Sequence, residues 1–198
     1  MNSKNAAIND FKKGKFVIVV DEKHRENEGD LALAAEKVTP EKINFMIKHA
    51  RGLVCVPMLK ERLDELKLPP MTQVNTELHK CKFTVSADYK YGTTTGISAF
   101  DRAKTIKALV DKKTKPEDLA RPGHVFPLMC DEGGLKKRMG HTEAAIELCK
   151  LANVYPAAVI CEIISDNGKM AALSELKKFG KKRKIKIVKI EEIWHKNL

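Results

Sequence analysis

Positions 25 to 30 read RENEGD and set Glu26, Glu28 and Asp30 at alternate positions in a chain whose formal net charge is +11. On extended backbone, side chains two apart share a side, so the three carboxylates would gather there. They repel one another unless a divalent cation or the adjacent Arg25 balances them, and Gly29 would let the backbone bend. The competing reading is a solvated acidic loop between strands.

A second stretch, KKRMGHTEAAIELC, carries Arg138, Gly140, His141 and Thr142 into a helix start. The helix dipole there favours a phosphate, which Arg138 could grip and Thr142 could cap or bind. GTTTGIS, from Gly92 to Ser98, places hydroxyls between two glycines before another helix. It reads as an anion site or as a tight turn with capping threonines. His124 follows a Pro-Gly turn in ARPGHVFPL, and Glu162 stands in the apolar run AAVICEII. An unpaired buried carboxylate costs several kcal/mol, so Glu162 needs a partner or a task. With thirty lysines and seven arginines in the chain, an arginine marks a place where a bidentate guanidinium is wanted.

The elements that must position these residues follow from periodicity. FVIVV and LALAA read as strands on either side of the acidic stretch, and Thr39-Pro40-Glu41 opens a helix with Thr39 as N-cap. LVCVPM, CKFTVSA, PAAVICEII and IKIVKI read as further strands. KERLDELKL, Ser98 to Val110, Thr142 to Asn153 and LSELKKFGKKRK read as helices, and TKPEDLARPGH as loop. Alternation of this kind predicts one α/β domain over residues 1–198, a mixed β-sheet covered by helices.

No apolar run reaches the roughly 20 residues of a membrane span, and no secretory signal is visible, so a cytoplasmic location without a membrane partner is expected. The five cysteines lack metal or redox spacing and suit reduced, mostly buried thiols. From Lys169 onward ten Lys or Arg face three acids, and Phe179 is the one aromatic inside KKFGKKRKIKIVKI. That pattern suits a solvated helix and strand better than base stacking, and no nucleic-acid partner is expected.

RENEGDL, GLVCVP, GTTTGISAFDRAKTI, RPGHVFPL, GHTEAAIEL and PAAVICEI, in this order and spacing, resemble the 3,4-dihydroxy-2-butanone-4-phosphate synthase family of riboflavin biosynthesis, in its single-domain form. The resemblance runs from about Phe11 to the last strand. It implies an α/β sandwich and conversion of D-ribulose 5-phosphate to L-3,4-dihydroxy-2-butanone 4-phosphate and formate. It also implies Mg2+ or Mn2+, two ions per site, and a homodimer with its sites near the interface. Carried over by motif, Glu26 and His141 become metal ligands. Arg25, Glu26, Asp30, Thr95, Arg138, Met139, Gly140, His141, Thr142 and Glu162 become substrate contacts. His124 and Glu162, with Asp30 or Glu28, become the proton-transfer groups. Lys23 and His24 depart from the usually acidic positions of the family loop, and Met139 stands where a small residue is common. Cys55 matches a family cysteine near the site and reads equally as a structural thiol.

Overall fold

Val17–Val20 forms β1, Gly29–Ala34 β2, Cys55–Met58 β3, Ala87–Tyr89 β4, Leu119–Met129 β5, Ala158–Glu162 β6 and Lys186–Lys189 β7. In this computed structural model, which describes residues 3–22 and 25–194, they make one mixed sheet in the order β4-β5-β3-β6-β2-β1-β7. The β1/β7 and β3/β5 pairs are parallel and the others antiparallel. The helices are α1 (Ser3–Lys12), α2 (Pro40–His49), α3 (Lys60–Glu65), α4 (Ala99–Val110), α5 (His141–Ala152), α6 (Leu173–Arg183) and α7 (Ile190–Trp194).

Strand alternation sorts the core into two layers. Val17, Val19, Ala32, Ala34, Ala158 and Ile160 pack with Phe11 of α1, Leu148 of α5 and Ile193 of α7. Ile18, Leu31, Leu33, Val159 and Cys161 pack on the opposite side with Met46 of α2, Leu63 of α3, Ile106 of α4 and Leu176 of α6. A strand buried on both faces reads as a continuous apolar run, which is why VIVV was legible. The same alternation carries Asp30, Cys55 and Glu162 to the face covered by α5.

Thr39 caps α2 as its sequence predicts, its hydroxyl accepting from the Lys42 amide, with Pro40 in the first turn. Thr39→Ala should lower the unfolding free energy by about 1 kcal/mol, read as a shifted denaturant midpoint with unchanged slope.

Elsewhere the structure departs from the periodicity. Cys81 to Ser86 is extended but pairs only at isolated bridges, Pro70 with Thr84 and Phe83 with Leu128. Leu119 to His124, expected as loop, is the first half of β5. Its ladder to β4 runs from Ala87/Val125 to Asp88/Ala120, leaving residues 121 to 124 bulged out with a cis Arg121-Pro122 bond. A proline, having no N–H to donate, fits where the ladder is open. Glu162 ends β6 rather than interrupting it. Two helices gave no sequence signal: α1 fully buries only Ala7 and Phe11, and α7 is five residues long.

Candidate active site

The acidic loop is shaped by Asp21, the residue after β1. Its Oδ1 accepts from the Glu28 amide at 2.8 Å, and its Oδ2 accepts from the Glu26 amide at 3.0 Å and from Arg25 Nη1 at 3.1 Å. Asn27 takes the left-handed conformation, with φ of 57°, which a short polar side chain tolerates. The loop is therefore a clamped turn, and the strand begins only at Gly29. Gly29 has a different reason from the one expected: a Cβ there would lie 2.5 Å from Leu176 Cδ1, so the glycine admits α6 against the strand. Lys23 and His24 lie outside the described residues.

Arg25, Glu26, Glu28, Asp30, His141 and Glu162 line one cavity of about 290 Å³, with Arg138, Thr142 and Cys55 also in its wall. Asp30 and Glu162 are directly opposed across β2 and β6, a like-charge pairing that sheets ordinarily avoid. Glu162 is held at the rim, its Oε2 accepting from the Leu53 amide at 2.8 Å. A Cβ on Gly52 would come within 2.4 Å of that same oxygen.

The electrostatics follow from crowding. Burial pushes Asp30 up to about 7, with His141 opposing the rise and Glu162, Glu26 and Glu28 adding to it. Burial likewise raises Glu28, reinforced by the Glu26 charge. For Glu26 burial also acts upward, but the hydrogen bond to His141 and the charges of Arg25, His141 and His79 prevail and hold it at about 2. Burial would lower His141, yet Asp30, Glu26 and Asp21 raise it to about 9. Cys55 is driven well up by burial and by Glu162 and Asp30, so its thiol stays protonated.

Three buried side-chain polar atoms lack a hydrogen-bond partner among the described residues, and two of them, Asp30 Oδ1 and His141 Nε2, belong to this cavity. Buried polar atoms left open where acids converge mark a place for a ligand. Asp21, Glu26 and His141 offer atoms within 4.8 Å of one another, a spacing a divalent cation can bridge. Asp21 accepts hydrogen bonds on both oxygens and Glu26 Oε1 takes Arg25 Nη2 at 2.6 Å, so an ion here would compete with those contacts, while His141 Nε2 is open.

The sequence pattern of 3,4-dihydroxy-2-butanone 4-phosphate synthase matches residues 5–196. The chain belongs to that family. It is 58% identical over 187 residues to the riboflavin biosynthesis protein RibBA of Endomicrobium trichonymphae, covering 94% of this chain and 46% of that protein. It is 52% identical to the 3,4-dihydroxy-2-butanone 4-phosphate synthase of Agrobacterium fabrum, covering 94% of this chain and 88% of that one. A crystal structure of a synthase in complex with two magnesium ions superposes with a TM-score of 0.93 at 41% identity, covering 98% of this chain and 95% of the other. The chain thus spans about half the length of the RibBA relatives that it matches.

Not every residue expected at the synthase site lies in the cavity. Arg138 lines it, but two of its nitrogens are engaged: Nη1 with Glu143 at 2.6 Å and Nε with the His79 carbonyl at 3.1 Å. Gly140 is the N-cap of α5, and Met139 packs against the core on the α5 side. Thr95 is exposed and His124 stands in the β5 bulge, both outside the cavity wall. Of the two readings of GTTTG, an anion site or a tight turn, the contacts of Asp101 favour the turn. Its carboxylate accepts from the Thr94 and Gly96 amides and from the Thr94 hydroxyl, filling that position from within the chain.

His124 has a partner that the sequence did not show. Asp88 accepts from its amide at 2.9 Å and lies 2.6 Å from its Nδ1, the arrangement that orients an imidazole for proton transfer. Gly96 permits this pair, since a Cβ there would approach Asp88 Oδ2 to 2.1 Å and His124 Nδ1 to 2.6 Å. The signal for Asp21 was present, as an acid closing an apolar strand. Asp88 and Glu143 gave none.

Proposed function

We propose that the chain converts D-ribulose 5-phosphate to L-3,4-dihydroxy-2-butanone 4-phosphate and formate in riboflavin biosynthesis, with Mg2+ or Mn2+, two ions per site. The observation that carries this reading is the pair of open buried atoms, Asp30 Oδ1 and His141 Nε2, in one cavity with Glu26 and Glu162. Glu26 and His141 would hold the cation, which when bound supplies Lewis-acid stabilisation of charge on neighbouring substrate oxygens. Asp30 or Glu28 takes the first proton beside the substrate carbonyl, and a carboxylate raised to about 7 suits a base working near neutrality. Glu162, anchored on the Leu53 amide, and His124, oriented by Asp88, serve later proton transfers. Arg25 balances the acids, while Arg138 and the start of α5 at Gly140 to Thr142 attract the phosphate through the guanidinium charge and the helix dipole.

The Asp88–His124 pair and Thr95 lie outside the carboxylate cavity, while Leu53, whose amide binds Glu162, and Ile97, two positions after Thr95, are both exposed. A homodimer with its site near the interface would join the two groups, which is the assembly this proposal takes. No described helix is long and apolar enough to cross a membrane. A single synthase domain over residues 1–198 and a cytoplasmic location remain part of the same proposal.

Incubation with ribulose 5-phosphate and Mg2+ should release formate, and a chelator should stop the release until excess Mg2+ is restored. Absence of any metal-dependent formate would overturn the reading.

A further inference from the structure

Glu143, the third residue of α5, is only 2% exposed. A carboxylate so placed must be paired, and its two oxygens are both used. Oε2 takes Arg138 Nη1 at 2.6 Å and Oε1 takes the Asp131 amide at 3.1 Å. Gly140 sits where the pair must close: a Cβ there would meet Arg138 Nη1 at 2.1 Å and Glu143 Oε2 at 2.8 Å.

Arg138 passes the constraint on. Its Nε donates to the His79 carbonyl at 3.1 Å, gripping the segment from residue 75 to 82 by its backbone. That segment is otherwise held mostly by itself. Glu77 accepts from the His79 and Cys81 amides, and Asn75 donates to the Cys81 carbonyl. Lys82 reaches Asp131 at 2.8 Å, whose amide is the one bound by Glu143. The segment delivers the His79 imidazole to the cavity wall, with Nδ1 3.9 Å from Glu26 Oε1. Glu26 thus has His141 beside Oε2, and on Oε1 it has Arg25 Nη2 at 2.6 Å with His79 as the next neighbour.

We infer that Glu143 is a positioning residue: through Arg138 it fixes the 75–82 segment so that His79 closes the Glu26 side of the cavity. The physical basis is that the Glu143–Arg138 pair is one of the few anchors between this segment and α5, and charge-assisted bonds of that kind are the strong ones. The consequence for turnover rests on the function proposed above, whereas the structural link does not.

The test compares Glu143→Gln, Arg138→Lys and the double variant by amide hydrogen exchange and by formate kinetics. A hydrogen bond to a charged group is worth enough that its loss should speed exchange at His79 and Cys81 by about tenfold, with α5 and the melting temperature little changed. KM for ribulose 5-phosphate should rise more than kcat falls. Because the two residues act in series, the double variant should do no more than the larger single effect. Unchanged exchange across residues 75–82 in folded Glu143→Gln, or additive effects in the double variant, would overturn the inference. Should Glu143→Gln fail to fold, Arg138→Lys decides alone: unchanged exchange in the segment overturns it. Wild-type protein that makes no formate would sink the proposed function and leave the exchange result standing.

Discussion

Glu162→Gln should leave a folded protein that releases formate about 10²–10⁴ times more slowly, the usual worth of a positioned acid or base. The substitution is chosen for what it preserves. Glutamine keeps an oxygen to accept from the Leu53 amide, so the contact between the Gly52 turn and the end of β6 survives. It removes only the ability to exchange a proton and the negative charge facing Asp30. Losing a like charge across the ladder relieves repulsion, so thermal stability should stay equal or increase. A variant with both a normal melting temperature and near-normal formate release would remove Glu162 from the chemistry. A variant that simply unfolds would contradict the geometry that makes glutamine an adequate replacement.

Glu26→Gln should weaken Mn2+ binding by about a hundredfold or more, since even groups that only orient a ligand cost 10–100-fold when lost. Direct binding, by calorimetry or by the paramagnetic signal of free Mn2+ without substrate, separates this effect from catalysis. The loop should survive, because the bonds made by Asp21 to the amides at positions 26 and 28 do not involve the Glu26 carboxylate. Arg25 would keep its contact with Asp21. Unaltered Mn2+ affinity in this variant would show that the cation is held elsewhere.

The sheet was legible where burial on both faces left apolar runs, as at Val17–Val20 and in β6 up to Glu162, and α2 was legible from Thr39-Pro40. The start of β5 was not, because Pro122 and Gly123 read as turn while the ladder on either side of the bulge holds them in a strand. Within the site, RENEGD, Arg138, Thr142 and Glu162 could be named from motifs. Asp88 and Glu143 could not, because they act through contacts that only the folded chain creates, and Asp21 showed itself only as an acid closing an apolar strand. The GTTTG turn stayed ambiguous in the sequence, since hydroxyls and glycines at a helix start suit an external anion and an internal carboxylate equally well, and Asp101 takes the place.

The strand order has a consequence for how the molecule comes into being. β6, with residues Ala158–Glu162, lies between β3 and β2, yet it is synthesised more than a hundred positions after either begins. Until it arrives, the facing edges of β2 and β3 have no strand between them. Such edges invite pairing with other chains, and closing so distant a contact is slow. The insertion that seals these edges is the same event that sets Glu162 beside Asp30 and on the Leu53 amide. Formate release would then report completed folding as well as chemistry, because a chain arrested before β6 docks lacks the finished cavity.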